Sequence, residues 1–153
     1  PCGAKRQILG VYQKELVQTF ASVAKNLSMD HALIVHGFDG LDEITITGST
    51  YVAELKNKTI TQYEISPKDF GLSLGKLSEI SAQSPHDSLQ LIREAFAGEK
   101  SAVQDMIALN AGAALYLAQK VDSISDGVEL AFTLMNNGMA ADKLAAYVRI
   151  SNS

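Results

Sequence analysis

The sequence predicts an α/β protein that contains part of a mixed, mainly parallel sheet with an antiparallel meander, flanked by helices. Three observations support this fold class. Over residues 7–37 an apolar segment, an amphipathic stretch and a continuous apolar run follow one another, as in a βαβ unit. Short stretches rich in Thr, Ile, Val and Tyr come next and indicate antiparallel strands. The last part of the chain has the periodicity of helices.

The predicted βαβ unit begins with a strand over residues 7–11 and ends with a strand over residues 32–37. The segment between them, residues 14–27, is predicted to be an amphipathic helix, because apolar residues recur in it at spacings of four, three and four. This apolar stripe consists of Leu16, Phe20, Val23 and Leu27. The second strand, ALIVHG, suits a strand that is covered on both faces, and the crossover is expected to be right-handed.

The meander is predicted to contain three strands, at EITITG (43–48), TYVAELK (50–56) and TITQYEIS (59–66). The helices that follow are predicted from residues that are typical of helix ends. Ser84 and Pro85 predict the start of a helix over 85–97, and Ser101 with Gln104 forms a capping-box pattern before a long helix. Gly138 ends a helix over 125–137, and a final helix spans 140–149. The sequence contains no internal repeat and no clear linker, so the chain is predicted to be one domain.

Composition narrows the class of protein. The 153 residues are 46% hydrophobic and 20% charged, which is typical of a globular domain. A net charge of −4 without a basic cluster argues against nucleic-acid binding. Cys2 is the single cysteine, so an intrachain disulfide and a thiolate metal site are excluded. The sequence has neither an apolar run of membrane-span length nor a leader, which predicts a cytoplasmic protein without membrane contact. The opening PCGAKRQ predicts the back part of a longer polypeptide.

The stretch HGFDGLDE, residues 36–43, is the strongest candidate site and is called the acidic turn below. It follows a buried strand, and ligands in open α/β sheets bind beyond the carboxyl ends of strands. The acidic turn contains Asp39, Asp42 and Glu43, and the adjacent pair suits Mg²⁺, which is often shared between one or two carboxylates and substrate phosphates. Acids and glycines are also ordinary residues of a solvated turn, and the residues alone favour that interpretation.

Other polar residues have plainer explanations. His36 could serve as a general acid, a base or a metal ligand, but a lone histidine at a strand end is more often structural. Asn110 is expected to cap a loop carbonyl across the core rather than to contact a substrate. Tyr51, Tyr63 and Tyr116 are expected to be partly buried packing residues. The sequence contains no nucleophile elbow, P-loop or dinucleotide fingerprint, so no catalytic or cofactor-binding residue is predicted.

The order of several segments resembles the carboxyl-terminal half of anthranilate phosphoribosyltransferase. These segments are PCGAKRQILGVY, HALIVHGFDGLDEITITG, SPKDFGL, ALNAGAALYLA and DGVELAF. The resemblance implies transfer of a phosphoribosyl group from phosphoribosyl pyrophosphate to anthranilate, in tryptophan biosynthesis. It also implies that Asp42 and Glu43 bind Mg²⁺ associated with the pyrophosphate, with Asp39 supporting the pair at most.

The resemblance further implies that the phosphate-binding turn and the small helical domain of the family lie upstream of this chain. The chain alone is therefore expected to be inactive, and the complete protein is expected to be a homodimer. The sequence departs from the family at SAQSPHDS (81–88), where a Gly-Gly pair is usual. Two alternatives stay open, namely a fragment similar to pyrimidine nucleoside phosphorylase and a non-catalytic binding module.

Overall fold

The computed structural model describes residues 3–152, so Cys2 lies outside the described residues. Residues 3–152 contain four strands, six helices and one 3-10 turn, Pro67–Phe70. The strands are β1 (Arg6–Gly10), β2 (His31–Gly37), β3 (Thr50–Lys56) and β4 (Thr59–Ile65). The helices are α1 (Lys14–Asn26), α2 (Leu77–Ile80), α3 (Pro85–Phe96), α4 (Ala102–Leu117), α5 (Ile124–Asn136) and α6 (Met139–Ser151). None of these helices has the length and apolar character needed to cross a membrane.

The four strands form one mixed sheet in the order β1-β2-β3-β4. β1 and β2 are parallel and are connected through α1, which confirms the βαβ unit. β3 runs antiparallel to β2, with Val35 opposite Val52, and β4 runs antiparallel to β3. The mixed α/β fold predicted from the sequence is confirmed, with one parallel pair among the three described pairs.

The sheet separates two hydrophobic cores. Leu33 and Val35 of β2 face a core that includes residues of α4 and α5. Ala32 and Ile34, the alternate residues, face a second core with Val17 and other residues of α1. Side chains alternate between the two faces of a strand, and a core covers each face of β2. All seven residues of β2 are therefore buried. This explains why its sequence is a continuous apolar run.

The predicted position of the α1 stripe was wrong. The helix itself is present, but Val17, Ala21 and Ala24 form its buried face. Phe20 and Val23, which belong to the predicted stripe, are 38% and 45% exposed. Leu27, just past the last helical residue, is also exposed, and Leu16 is half-buried. The small side chains of Ala21 and Ala24 let α1 lie close to the sheet. The larger apolar residues of the predicted stripe lie on the flank of the helix.

Two further local predictions were wrong. Residues 43–48 do not form a strand, although Ile44, Thr45 and Ile46 are buried, so the meander has two strands after β2. β2 begins at His31, one residue before the predicted strand, and His31 is buried. At the start of α4 only half of the predicted capping box forms. The amide N–H of Gln104 donates to Ser101 Oγ, whereas the Gln104 side chain turns inward and donates to the carbonyl oxygen of Ala95.

Candidate metal site

The acidic turn lies across the carboxyl ends of the parallel strands β1 and β2. Gly10, the last residue of β1, sets its position, because the backbone of Asp42 occupies the space where a side chain would project from that glycine. A Cβ atom at residue 10 would overlap the carbonyl oxygen of Asp42. The pair Asp42 and Glu43 is therefore located at the end of the sheet where ligands bind in open α/β folds.

Asp39 turns inward and holds the acidic turn together. One carboxylate oxygen accepts a hydrogen bond from the amide N–H of Leu41 at 3.1 Å. The other oxygen accepts from the hydroxyl groups of Thr45 at 2.5 Å and Thr47 at 2.6 Å. Burial acts to raise the pKa of Asp39, but the hydrogen bonds from these threonines and from the backbone outweigh it and lower the pKa. Asp39 is thus a structural carboxylate with its oxygens already occupied.

Asn110 of α4 fixes the residue that follows the acidic pair. Its side-chain carbonyl oxygen accepts from the amide N–H of Ile44 at 3.0 Å, and its NH₂ group donates to the carbonyl oxygen of Ile44 at 2.8 Å. The same NH₂ group donates to the carbonyl oxygen of Met106 at 3.0 Å. This confirms the prediction that Asn110 caps a loop carbonyl across the core. Both backbone groups of Ile44 are satisfied by one side chain, so the acidic pair is held at a fixed distance from α4.

The environment of Asp42 and Glu43 is the opposite of that of Asp39. Both residues are exposed, and within residues 3–152 neither carboxylate accepts a hydrogen bond or forms an ion pair. Partial burial of the carboxyl group and the negative charge of Asp42 raise the pKa of Glu43. The two neighbouring carboxylates repel each other, and the hydrogen bonds of Asp39 and Asn110 fix the backbone on either side of them. A bound cation would relieve this repulsion.

The donors at this site fit Mg²⁺ better than a metal that needs a complete protein cage. No cluster of three or more His, Cys, Asp or Glu residues that could hold a metal occurs in residues 3–152. Mg²⁺ requires oxygen ligands and is commonly bound through one or two carboxylates, with waters and substrate phosphates completing its coordination. Asp42 and Glu43 could supply the protein share of such a site.

His36 is the first residue of the acidic turn, and it has a structural role. Its Nδ1 atom lies 2.8 Å from the carbonyl oxygen of Val11 and donates to it, since a carbonyl can only accept. The imidazole ring stacks on Tyr51, and the ammonium group of Lys14 lies 3.4 Å from the centre of the Tyr51 ring. This agrees with the structural interpretation of His36.

A second polar cluster, centred on Glu54, lies at the other end of β2. The Glu54 carboxylate accepts hydrogen bonds from the hydroxyl groups of Tyr63 and Tyr116 at 2.9 and 2.8 Å, and it lies 2.7 Å from Nε2 of His31. Burial acts to raise the pKa of Glu54, but the hydrogen bonds from Tyr116, His31 and Tyr63 lower it. The tyrosines are partly buried as expected. Their shared carboxylate was missed, because no local pattern marks partners this far apart in sequence.

Comparison with known proteins identifies the family. Residues 1–141 match the family model described as "Glycosyl transferase family, a/b domain". The chain belongs to this family.

Individual members of the glycosyl transferase family are homologous to the chain over nearly its whole length. The chain is 44% identical over 151 residues to an anthranilate phosphoribosyltransferase of Vesicomyosocius okutanii, covering 99% of the chain and 44% of the relative. It is 46% identical over 148 residues to the Halorhodospira halophila enzyme of the same name, covering 97% of the chain and 43% of the relative. The chain therefore spans less than half the length of these curated relatives.

Solved structures of the family agree with the fold. The crystal structure of anthranilate phosphoribosyltransferase from Thermus thermophilus matches with a TM-score of 0.85 and 31% identity, over 94% of this chain and 42% of that one. The Saccharomyces cerevisiae enzyme in complex with PRPP and Mg matches with a TM-score of 0.79 and 27% identity, over 90% of this chain and 40% of that one. Both structures are of proteins named anthranilate phosphoribosyltransferase.

Proposed function

We propose that this chain is part of a Mg²⁺-dependent anthranilate phosphoribosyltransferase, which transfers a phosphoribosyl group from phosphoribosyl pyrophosphate to the amine of anthranilate. The observation that carries the proposal is the pair Asp42 and Glu43, free of protein partners in the described residues and held at the strand ends by Asp39 and Asn110. The names of the relatives and the PRPP- and Mg-bound yeast structure support the substrate and the ion.

In this proposal Asp42 and Glu43 are the oxygen donors of the chain to Mg²⁺. When bound there, Mg²⁺ would neutralise negative charge that develops on the pyrophosphate leaving group. Three other residues of the chain fix the position of this pair. Asn110 fixes the backbone after Glu43, Gly10 lets the backbone of Asp42 approach β1, and Asp39 uses its own oxygens within the turn and so leaves only the adjacent pair for the ion.

The chain supplies only part of the proposed site. Because it spans 44% of the length of a relative, we propose that an upstream phosphate-binding turn and helical domain make the remaining contacts with pyrophosphate and anthranilate. On this basis the chain alone is inactive. The homodimer of the complete protein and its cytoplasmic location stay predictions.

Kinetics of the complete protein test this proposal. Asp42→Asn and Glu43→Gln each keep the size of the side chain and remove one negative donor. We expect each substitution to raise the Mg²⁺ concentration for half-maximal turnover by at least about tenfold, as for other losses of metal-site groups. Asp30→Asn and Glu129→Gln, at exposed positions away from the acidic turn, are the matched controls. Unchanged activity at limiting Mg²⁺ in both acidic-turn variants would contradict the proposal.

The same preparations distinguish the two alternatives. A pyrimidine nucleoside phosphorylase would turn over phosphate with a pyrimidine nucleoside, and not phosphoribosyl pyrophosphate with anthranilate. A non-catalytic binding module would turn over neither pair. The relatives described above are named as anthranilate phosphoribosyltransferases, and this favours the first substrate pair over both alternatives.

A further inference from the structure

A pocket of about 770 Å³, called the basic pocket below, lies at the end of β2 opposite to the acidic turn. It is formed by the starts of β1 and β2, the end of α1 with the loop that follows it, the turn between β3 and β4, and Gln119 after α4. Because β2 runs from His31 to Gly37, roughly 20 Å separate the basic pocket from the acidic turn. One small ligand therefore cannot occupy both.

Four cationic side chains from separate parts of the chain line the basic pocket. They are Arg6, Lys25, Lys56 and Lys58. Asp30 is the only acid among the lining residues, and within residues 3–152 none of the four cations forms an ion pair. Since the whole chain has a net charge of −4, the basic pocket is a local concentration of positive charge on an acidic protein.

The backbone around the basic pocket adopts conformations that are unusual for residues with a side chain. Within residues 3–152, the residues other than glycine that have a positive φ are Ser28, Asn57, Lys58 and Gln119, and all of them line this pocket. Asn57 and Lys58 form the turn between β3 and β4, with φ values of 50° and 64°. Glycine is usual at the second position of such a turn, so Lys58 accepts backbone strain and places a cation at the pocket.

Structural roles explain part of this cationic cluster. Lys25 is in the last turn of α1, where a cation offsets the partial negative charge of the helix end. Arg6 donates to the side-chain oxygen of Gln119 at 2.7 Å, which leaves other N–H groups of its guanidinium without a described partner. Neither role applies to Lys58, whose side chain makes no hydrogen bond within residues 3–152. The cluster therefore has donors available for an anionic ligand.

His31 supplies a further polar atom to the basic pocket, which it lines with a side chain that is 4% exposed. Its Nε2 atom carries a hydrogen, because it lies 2.7 Å from the Glu54 carboxylate, which can only accept. Its Nδ1 atom has no described hydrogen-bond partner. Every fully buried side-chain nitrogen or oxygen in the described residues has a partner, so Nδ1 reaches solvent. A ligand in the pocket can contact this nitrogen.

We propose that the basic pocket binds a small phosphorylated molecule. Arginine and lysine are the usual protein ligands of phosphate oxygens. The volume of the pocket is typical of sites for small molecules and cofactors, and a phosphate ion alone would fill only a small part of it. A concave cluster suits such a ligand better than a nucleic acid, which is bound along an extended basic face. The site does not depend on the proposed function, because it uses no residue of the acidic turn.

Nuclear magnetic resonance of the complete protein without Mg²⁺ tests this proposal, and its failure would be distinct from failure of the proposed transferase activity. Inorganic phosphate and glucose 6-phosphate are the probes, glucose is the uncharged control, and the ionic strength is kept constant. We expect both anions, but not glucose, to shift the amide signals of Met29, Lys56 and Lys58, which line the basic pocket.

Matched double variants locate the contact. Lys25→Gln with Lys58→Gln removes two cations of the basic pocket, and Lys68→Gln with Lys143→Gln removes two exposed cations elsewhere. The loss of a hydrogen bond to a charged group lowers affinity by about tenfold. We therefore expect the first pair to raise the Kd of glucose 6-phosphate at least about tenfold and the second pair to leave it unchanged. Circular dichroism checks that both double variants remain folded.

Three results would overturn the proposal. The first is the absence of shifts at the basic pocket with either anion. The second is an equal change in Kd for the two double variants. The third is equal or tighter binding of citrate at the same amides, because the ligand would then be a polycarboxylate rather than a phosphorylated molecule.

Discussion

Asn110→Ala is predicted to destabilise the protein by removing the only described partner of two buried backbone groups. The amide N–H and the carbonyl oxygen of Ile44 both bond to the Asn110 side chain, at 3.0 and 2.8 Å, and Ile44 is 1% exposed. Leaving a buried polar group without a partner costs about 1–3 kcal/mol. Since water can reach part of the turn, we expect the free energy of unfolding to fall by about 2–4 kcal/mol.

Urea denaturation followed by circular dichroism measures this loss, with Asn26→Ala at the exposed end of α1 as the control. For a protein of this size the loss corresponds to a decrease in melting temperature of roughly 5–15 °C. In the complete protein, Asn110→Ala is also expected to raise the Mg²⁺ concentration for half-maximal turnover, because Glu43 precedes the released residue. A loss of stability no larger than that of Asn26→Ala would refute the role assigned to Asn110.

Two more predictions concern the same turn. The pKa of Asp39 is lowered from 3.8 in the folded protein, so its ionised form stabilises the fold above that pH, and this contribution is lost as the pH falls through the folded pKa. Asp39→Asn should therefore lower the free energy of unfolding at neutral pH and flatten its decrease in acid, as measured by urea titrations at several pH values; an unchanged pH profile would contradict this role. Gly10→Ala should cost about 1–3 kcal/mol, because the new Cβ atom overlaps the backbone of Asp42, whereas Gly48→Ala meets Phe38 only at an ordinary 3.4 Å. Equal stability of the two alanine variants in the same denaturation assay would show that the contact at Gly10 is relaxed without cost.

The sequence predicted the elements of this fold better than the faces they present. Periodicity showed that residues 14–27 contain an amphipathic helix, and the helix Lys14–Asn26 is present. It did not show which apolar arc faces the sheet, because Val17, Ala21 and Ala24 form a second arc beside the larger stripe. Hydrophobicity gives more weight to the larger apolar residues, whereas close packing on a sheet favours small ones. A sequence pattern also does not distinguish an apolar face that is buried from one that is exposed.

The segment EITITG shows how side chains can override a strand pattern. Its composition is typical of a strand, but Thr45 and Thr47 donate to Asp39, and the backbone of Ile44 bonds to Asn110. Hydrogen bonds with side chains give these residues an alternative to the ladder bonds of a sheet. The partners are 6, 8 and 66 residues apart, so the competition became visible only in three dimensions.

The sequence indicated where the candidate site lies, and the structure shows which residues hold its backbone in place. The location of the acidic turn after a buried strand followed from the apolar run of β2. The cap by Asn110 was expected from a single polar residue on an apolar helix. The inward role of Asp39 was not expected in this form, because the three acids of the turn look alike in sequence. Their environments separate them, since Asp39 is hydrogen-bonded whereas Asp42 and Glu43 are exposed.

We propose that Asp42 and Glu43 hold the metal ion of a phosphoribosyltransferase. The most direct test is anomalous scattering from crystals of the complete protein soaked with Mn²⁺, as a substitute for Mg²⁺, and pyrophosphate. We expect an anomalous peak within direct coordination distance of at least one of these two carboxylates, about 2.0–2.1 Å for Mg²⁺ itself. We also expect that peak to be lost in the double variant Asp42→Asn, Glu43→Gln. An ordered ion with pyrophosphate that contacts neither carboxylate would show that Asp42 and Glu43 are not the metal ligands.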